Sequence, residues 1–279
     1  MGPNGSDAGG LGFYETGATP LFACQADQRF SYCLYVPKSY QPEGGPHLSL
    51  IVLVHGTGRN PFAYQHAAAD FADAHHCLVL CPLFPCGIPD PRGTENYKFV
   101  SFKGIRFDLV LLSMISEVGR IYRVDTSRFS LFGFSGGAHF THRFFYVHPE
   151  RLRAVAIDAP GVVTLLDRDR DWWCGVRNFS GIFGKELNVA AMRTVAVQTI
   201  VGGEDTATWE IAVQPGWPFW MEGITASGTT RVERLASLRD SWRREGIEVE
   251  HLLVPGVGHE LLLAPALDFF GRNLRDLPA

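Results

Sequence analysis

The chain of 279 residues exceeds the commonest domain size, but folds that wrap helices around one sheet often use that many, so we expect one domain over residues 15–279. Apolar residues make up 46% of the sequence and charged residues 19%, a balance that excludes extensive disorder. With 29 acidic and 25 basic residues the net charge is -4, and Lys and Arg form no cluster, which argues against a nucleic-acid partner.

The amino-terminal residues 1–14 are rich in glycine and lack the charged start and apolar stretch of a secretion signal. We therefore expect a flexible tail there and a cytoplasmic protein, with a secreted mature form left open. The longest apolar run, LSLIVLV at residues 48–54, is far shorter than the roughly 20 residues that cross a bilayer. The sequence thus predicts a soluble protein without a membrane span.

The six cysteines are too few for a disulfide scaffold, and none forms a C-x-x-C pair. We expect most of them to be small buried apolar side chains. Cys24 and Cys33 would face each other if the segment between them forms a hairpin that turns at Gln28 and Arg29, and a bridge between these two is left open.

The first half of the chain begins with candidate strands. RFSYCLYVP at residues 29–37 has the aromatic and β-branched character of a strand, and LSLIVLVHG is a continuous apolar run of the kind that parallel sheets bury on both faces. PFAYQHAAADFADAHH at residues 61–76 has helical spacing, with Pro61 in the first turn. CLVLCP is the next strand, and a polar, glycine-containing loop follows over residues 84–105.

The second half continues the alternation. FDLVLLSMISEVGRIY at residues 107–122 predicts a helix, RFSLFGF at 128–134 a strand, GGAHFTHRFFYVH a helix stopped by Pro149, and LRAVAIDAP at 152–160 a strand. The remaining elements are predicted to be TVAVQTIVGG, TRVERLASLRDSWRREG, IEVEHLLVPG and ELLLAPALDFFGRNLRDL. Strands that alternate with helices predict an α/β fold with a mostly parallel central sheet flanked by helices, and a site at the carboxyl ends of the strands.

The motif G-x-S-x-G occurs once, centred on Ser135, between a predicted strand and a predicted helix. This is the arrangement of a nucleophile elbow, a turn so tight that Gly133 and Gly137 must flank it, and it exposes a serine hydroxyl. A serine hydroxyl is a weak nucleophile until a base takes its proton. We therefore predict that Ser135 is a catalytic nucleophile.

A base and an acid are expected after later strands, in the order Ser, acid, His. His259 follows the last predicted strand in the loop VPGVGHE, and Asp205 ends IVGGED after the strand before it. We predict His259 as the general base and Asp205 as the group that orients its imidazole. Glu204, adjacent in sequence, and Asp158, which also ends a strand, remain alternatives for the acid.

An oxyanion hole needs two fixed backbone N–H donors. One is predicted at Gly136, directly after the nucleophile and at a helix amino terminus, and the other at Thr57 in the HGTG loop, residues 55–58. His139 and His142 lie one turn apart on the helix behind Ser135, but no third ligand is near them. We therefore expect these two to be packing residues, and we predict no metal site and no cofactor.

With these residues in place, the chain resembles the α/β-hydrolase superfamily, and within it the polyhydroxybutyrate-depolymerase-like and feruloyl-esterase-like proteins. The resemblance rests on SYCLYVPKSY, LIVLVHGTG and IYRVDTSRFSLFGFSGGAHFTHRFFYVHPERLRAVAIDAPG. It implies the α/β-hydrolase fold and a serine esterase that acts on carboxylic esters without a cofactor, with Ser135, Asp205 and His259 as its triad. Between Asp158 and Asp205 the chain is too short for a large lid domain.

Two aromatic stretches near the predicted strand ends are candidates for substrate contact, DWWCGVRNF at residues 171–179 and TWEIAVQPGWPFWMEG at 208–223. They suit an apolar or aromatic acyl group, although packing of the loops against the body is an equal alternative. The predicted substrate-binding residues are Phe134, Trp173, Trp209, Trp217 and Trp220. The predicted opposite wall is formed by Tyr97, Phe99 and Phe102.

The leading hypothesis is hydrolysis of a small-molecule carboxylic ester, including a lactone, a polyester or an aromatic ester, through an acyl-enzyme intermediate. The same triad serves hydrolysis of a C–C bond or an amide and acyl transfer, so these stay open. A non-catalytic ligand-binding member of the fold is the alternative from another class. Haloalkane-type or epoxide-type chemistry would require an aspartate where the chain has Ser135.

Overall fold

A computed structural model describes residues 11–217 and 219–274 and builds them around a nine-stranded β-sheet. Residues 1–10, most of the predicted tail, lie outside the described residues. Phe13–Glu15 forms one 3₁₀ turn, and the Tyr122 hydroxyl donates a hydrogen bond of 2.7 Å to the carbonyl of Glu15. The chain from Phe13 onward is therefore in contact with the body of the protein.

The strands are short at the amino-terminal edge and longer in the centre. In chain order they are β1 (Gly17–Ala18), β2 (Phe22–Ala23), β3 (Ser31–Val36), β4 (Leu48–Val54), β5 (Cys77–Leu83), β6 (Ser101–Phe102), β7 (Ile105–Arg106), β8 (Val124–Phe134), β9 (Leu152–Asp158), β10 (Ala196–Gly202) and β11 (Glu250–Val254). The spatial order is β1-β3-β5-β4-β8-β9-β10-β11, with β2 beside β3 and the hairpin β6-β7 apart. From β5 to β11 all neighbours are parallel, and β3 runs antiparallel to β5.

The helices cover both faces of this sheet. They are α1 (Pro61–Ala67), α2 (Ala69–His75), α3 (Phe107–Ile121), α4 (Gly136–Val147), α5 (Phe179–Phe183), α6 (Val189–Met192), α7 (Arg231–Arg244) and α8 (Leu263–Asn273). Short 3₁₀ helices also occur at Asn96–Phe99, Pro149–Arg151 and Ile224–Ser227. Between β9 and β10 the described chain inserts only α5 and α6 with their loops, so it carries no large lid domain there.

The core consists of two apolar clusters, one on each face of the sheet. All seven residues of β4 are buried; Leu50 and Val52 belong to one cluster, and Ile51 and Leu53 to the other. Successive side chains of a strand point to opposite faces, so a continuous apolar strand serves both clusters. This explains why the run LSLIVLV has no polar alternation.

Two predicted elements differ in the structure. The helix predicted over residues 61–76 is divided into α1 and α2, because Ala68 has a ψ of 0° and turns its N–H to the carbonyls of Tyr64 and His66. This bend leaves both Ala68 and Ala72 buried against the sheet. The predicted loop over residues 84–105 contains a 3₁₀ helix and most of the small hairpin β6-β7.

The hairpin that contains Cys24 and Cys33 is present, but it does not bring the two thiols together. β2 pairs with β3 so that Ala23 lies opposite Ser31. Cys24 packs in one apolar cluster, with its Sγ 3.5 Å from Glu117 Oε1. Cys33 packs in the other cluster and lies opposite Cys81 of β5 in the register of the two strands. Both are free thiols on opposite faces of the sheet, so the bridge left open above is absent.

Candidate active site

Ser135 occupies the turn between β8 and α4 in a strained backbone conformation, with φ 53° and ψ -113°. Positive φ is costly for a residue with a Cβ atom, and such strain concentrates at functional sites. A Cβ atom on Gly133 would clash with the carbonyl of Gly137, and one on Gly137 would clash with the carbonyl of Val54 in β4. The two glycines are therefore required because α4 leaves the sheet at very close range.

The structure brings Ser135, His259 and Asp205 together from the ends of three strands. His259 Nε2 lies 3.0 Å from Ser135 Oγ, and His259 Nδ1 lies 2.7 Å from Asp205 Oδ2. With the proton assigned to Nδ1, His259 donates to the carboxylate and accepts from the serine hydroxyl. This geometry allows the imidazole to remove the hydroxyl proton while the carboxylate stabilises the resulting imidazolium.

The carboxylate of Asp205 is buried and paired. Burial would raise its pKa, but the hydrogen bond and charge of His259, together with the charge of Arg231, outweigh burial and hold the pKa below its usual range. Arg231 Nη1 lies 3.1 Å from Asp205 Oδ1, and its Nη2 lies 2.7 Å from Glu210 Oε2. Asp205 is therefore ionised at neutral pH and fixed from both sides.

Sequence reasoning did not select Arg231. It is the first residue of α7, where the positive end of the helix dipole disfavours a cation. An arginine at this position, with the capping residue Thr230 directly before it, is the signal that could have suggested a partner carboxylate nearby.

The alternative acids lie elsewhere. Glu204 is exposed, whereas Asp158 at the end of β9 is fully buried. Asp158 Oδ2 accepts a hydrogen bond of 2.8 Å from the N–H of Leu262, and its Oδ1 has no partner among the described residues. Burial, reinforced by the charge of Asp205, raises the pKa of Asp158 well above its ordinary value despite the opposing Leu262 hydrogen bond. Through the Leu262 hydrogen bond, Asp158 holds the chain just beyond His259.

The predicted oxyanion residues, Thr57 and Gly136, lie side by side at the site. A Cβ atom on Gly136 would lie 2.7 Å from both Thr57 Oγ1 and the Tyr97 hydroxyl, so a larger residue there would have to displace one of these side chains. Gly136 is the first residue of α4, where backbone N–H groups lack partners within the helix. Such amides can stabilise negative charge that develops on a substrate oxygen.

The loop that carries Thr57 is fixed by a buried imidazole. His55 Nδ1 lies 2.8 Å from the Gly56 carbonyl, and His55 Nε2 accepts a hydrogen bond of 3.0 Å from the N–H of Phe84. Burial lowers the pKa of His55 to about 4, so the ring is neutral and can play both roles. The first residue of HGTG thus holds the loop in position.

A cavity of about 880 Å³ opens above Ser135. Four of the five predicted substrate-binding residues line it: Phe134, Trp173, Trp209 and Trp217. Trp220 is not among the lining residues. On the other side Phe99 lines the cavity as predicted, but Tyr97 is buried behind it and Phe102 lines a neighbouring pocket. Phe134 also stacks on the His259 ring, with the ring centroids 4.8 Å apart.

His139 and His142 are packing residues with defined partners. The N–H of Val162 donates a hydrogen bond of 3.1 Å to His139 Nε2, and the N–H of Thr164 donates one of 3.0 Å to His142 Nε2. The two rings therefore hold the segment that follows β9. Residues 11–217 and 219–274 contain no group of three or more His, Cys, Asp or Glu side chains arranged to hold a metal ion. In the same ranges, no helix is long and apolar enough to cross a membrane.

No protein-family model and no curated protein matches the chain. Solved structures do match it. The poly(3-hydroxybutyrate) depolymerase LpqC from Bordetella parapertussis aligns with a TM-score of 0.70 and 22% identity over 94% of this chain and 91% of that one. Poly(aspartic acid) hydrolase-1 from Sphingomonas sp. KT-1 aligns with a TM-score of 0.70 and 16% identity over 93% of this chain and 98% of that one.

A ferulic acid esterase aligns with a TM-score of 0.63 and 16% identity over 91% of this chain and 97% of that one. Each alignment spans nearly the whole of both chains. The chain therefore has the α/β-hydrolase fold, with a mostly parallel sheet, flanking helices and no large lid domain in the described residues.

Proposed function

We propose that the protein is a serine hydrolase that cleaves a carboxylic ester through an acyl-enzyme intermediate. The observation that carries the proposal is the hydrogen-bonded series from Asp205 through His259 to Ser135, with distances of 2.7 and 3.0 Å, at the floor of a large cavity. The local environment of each of these three side chains favours its proposed role. Asp205 is ionised, the imidazole is oriented by it, and the hydroxyl is held in a strained turn.

In the proposed mechanism His259 removes the hydroxyl proton as Ser135 Oγ attacks the ester carbonyl. The backbone N–H groups of Gly136 and Thr57 stabilise the oxyanion of the tetrahedral intermediate. His259 then gives the proton to the leaving alcohol, which leaves an acyl group on Ser135. A water molecule, deprotonated by the same imidazole, releases the acid and restores the enzyme.

The substrate is proposed to be a small-molecule ester, with a lactone or an aromatic or polymeric ester included. Support comes from the apolar and aromatic lining of the cavity, and from two solved structures of the same fold that are named as a poly(3-hydroxybutyrate) depolymerase and a ferulic acid esterase. A third, named as a poly(aspartic acid) hydrolase, keeps amide hydrolysis as the second candidate reaction.

The test combines a panel of p-nitrophenyl esters of graded chain length with an active-site fluorophosphonate probe. We expect wild-type protein to hydrolyse the esters and to be labelled on Ser135, and we expect Ser135→Ala to lose both properties. Ser130→Ala is the matched control, because Ser130 lies on β8, the strand that leads into the turn of Ser135, is buried and has no hydrogen-bond partner for its hydroxyl among the described residues. Turnover that persists in Ser135→Ala would overturn the proposal.

Product analysis separates the remaining alternatives. If the matched anilides are hydrolysed faster than the esters, the amide reaction is the correct one. If the acyl group appears on an added alcohol faster than on water, the protein is an acyltransferase. Absence of both labelling and turnover in folded wild-type protein would favour a non-catalytic ligand-binding role.

A further inference from the structure

Three cations line one side of the Ser135 cavity: Arg59, Lys98 and Arg143. We call them the cationic cluster. Among the cavity-lining residues of the described chain there are two carboxylates, Glu95 beside these cations and Glu210 on the other side. Lys98 Nζ holds both oxygens of Glu95 at 2.8 Å. Three positive charges against one negative charge leave this side of the cavity with a cationic excess.

Arg143 is the most deeply placed member of the cationic cluster. Its side chain projects from α4 and is fully buried, and its guanidinium contacts the rings of Phe99 and Trp173, 5.2 and 5.3 Å from their centroids, while the two centroids lie 5.5 Å from each other. Nε donates to Thr164 Oγ1 at 2.9 Å, and Nη1 donates to the carbonyl of Lys98 at 2.5 Å. Nη2 has no hydrogen-bond partner among the described residues.

A buried cation normally has an anionic partner, since removing a charge from water is costly. Arg143 forms no salt bridge within the described residues, and burial lowers its pKa to about 9. Arg59, which is half-buried, likewise has no carboxylate partner, because its guanidinium donates to the carbonyls of Phe84, Thr57 and Thr94 and to the side-chain oxygen of Asn96. The protein thus maintains two unneutralised guanidinium groups at one cavity.

The opposite side of the cavity does not share this excess. There Arg231 is bound by two carboxylates, those of Asp205 and Glu210. The charges of the cavity are therefore separated, with acidic groups behind His259 and unmatched cations along the Phe99 side. When a ligand is bound over Ser135, one of its ends therefore lies next to these unmatched cations.

We propose that the substrate is an anionic ester, whose carboxylate or similar group is received by Arg143 while its ester carbonyl lies at Ser135. This inference rests on the proposed hydrolase function and adds the charge of the substrate to it. The unpartnered Nη2 supplies a charged N–H donor that no protein group uses, and a hydrogen bond from a charged donor to a carboxylate is stronger than one between neutral groups. The hydrogen bonds to Thr164 and to the carbonyl of Lys98 fix the orientation of the guanidinium.

The distance between the two groups suits a short acyl chain. Arg143 follows Ser135 by eight residues on the same helix, about 12 Å of helical rise, and side chains on a helix lean back toward its amino terminus. The guanidinium therefore reaches toward the Ser135 end of the cavity. An acyl group with a terminal carboxylate a few methylene groups from the carbonyl would span this gap.

The test compares esters of equal length with and without a terminal charge. The probes are the p-nitrophenyl half-esters of succinic, glutaric, adipic and suberic acids, each paired with its methyl-capped, uncharged counterpart. A second arm uses acetyl esters of 4-hydroxybenzoate and of its methyl ester, which place the charge on the alcohol side. The measured quantity is the ratio of kcat/KM for the charged ester to that for the uncharged ester.

We expect wild-type protein to prefer the charged member of at least one pair by about 10- to 100-fold, the value of one hydrogen bond to a charged group. Arg143→Met should reduce that ratio to about 1, and Arg143→Lys should restore part of it because the charge returns without the planar fork. Arg120→Met removes an equal charge from an exposed position on α3 and should leave the ratio unchanged. Free glutarate should inhibit the wild type competitively, and butyrate should not.

The outcomes separate this inference from the proposed function. A folded protein that hydrolyses neither member of any pair contradicts the hydrolase proposal itself. A protein that hydrolyses the uncharged esters at least as well as the charged ones, in both arms, is a hydrolase without an anion site and overturns the inference. If Arg143→Met does not fold, the wild-type ratios and the glutarate inhibition still decide the question.

Discussion

The two walls of the Ser135 cavity differ in how their residues are held. One wall, which we call the body wall, is built on β8 and α4 and comprises Phe134, Ser135, Gly136, His139 and Arg143. The other, the loop wall, lies between β10 and α7 and comprises Trp209, Glu210, Ile211, Ala212, Val213, Trp217 and Phe219. Gly136, His139 and Arg143 are buried, whereas Trp209 and Trp217 are 76% and 53% exposed.

The difference shows which wall can vary. On the body wall the backbones of α4 and β4 approach so closely that Gly137 has no room for a methyl group, and hydrogen bonds fix His139. The loop wall is tied at fewer points, notably by Arg234, which donates to the carbonyl of Ile211 at 3.0 Å. We infer that the body wall carries the chemistry and that the loop wall adjusts the choice of substrate.

The largest effect on catalysis is expected at Asp205, whose carboxylate orients the imidazole of His259. Asp205→Asn should lower kcat for a p-nitrophenyl ester by about 10³- to 10⁴-fold, because an amide cannot hold the productive tautomer of His259 or stabilise its charge. Thermal unfolding should show that the protein still folds. Glu204→Gln is the matched control, since this neighbouring side chain is exposed, and its kcat should stay within about 2-fold of the wild type. A large loss in Glu204→Gln instead would reassign the acid.

The second-largest effect is expected on stability at Gly137, in the tight turn that contains Ser135. Gly137→Ala should lower the free energy of unfolding by about 3 kcal/mol, because the new methyl group would overlap the carbonyl of Val54, which is backbone and cannot rotate away. Gly181→Ala in α5 has open space around the new atom and should leave stability unchanged or raise it by up to about 1 kcal/mol. Guanidinium unfolding curves measure both. Equal stability of the two variants would show that Gly137 does not pack closely against the backbone of Val54.

The body wall was accessible to sequence reasoning because its pattern is local. A strand, G-x-S-x-G and a helix adjoin one another, and the physical demand for small flanking residues marks Gly133 and Gly137 in the sequence itself. The order of the later strands then placed Asp205 and His259 at the same edge of a parallel sheet, where the structure brings His259 within hydrogen-bonding distance of both Asp205 and Ser135. Local sequence patterns can thus predict contacts between distant residues when a parallel sheet places the ends of its strands side by side.

The loop wall was less accessible because its conformation depends on tertiary partners. Trp217 and Trp220 stand three residues apart in one aromatic stretch, yet only Trp217 lines the cavity. Nothing in the stretch distinguishes them, since irregular segments have no period that assigns side chains to a face. The pairing of Arg231 with Asp205 likewise joins elements that are 26 residues apart, and no local rule predicts it.

A smaller effect is expected for Asp158, which has a raised pKa beside the loop of His259. Because the folded pKa is raised, the contribution of this carboxyl to stability is complete below its unfolded pKa of about 3.9 and is lost as pH rises through the folded pKa. Asp158→Asn keeps the shape without the charge. The variant should therefore gain stability relative to the wild type as the pH is raised toward 8.

Unfolding curves at several pH values between 4 and 8 check this expectation. The stability difference between Asp158→Asn and the wild type should grow with pH. Asp205 has the opposite sign, because its pKa is lowered: its contribution is present above its unfolded pKa and is lost as pH falls through the folded pKa. A pH-independent difference for Asp158→Asn would contradict the raised pKa that burial gives this group.

The smallest effect is expected on the loop wall. Trp209→Ala should lower kcat/KM for an aromatic ester by about 2- to 10-fold, mainly through KM, because one aromatic contact contributes about 0.5–1.5 kcal/mol. Its melting temperature should hardly change, since the side chain is 76% exposed. Trp220→Ala is the matched control: it lies in the same loop and is 42% exposed, but it does not line the cavity.

The aliphatic and aromatic members of one ester series make this last comparison sharper. If Trp209 contacts the substrate, its removal should affect aromatic acyl groups more than linear ones of equal size, whereas Trp220→Ala should treat both alike. Equal losses in the two variants would mean that the loop acts through its own packing and not through contact. In that case selectivity would have to come from the body wall, where His139 and Arg143 are buried and held too firmly to adapt to different substrates.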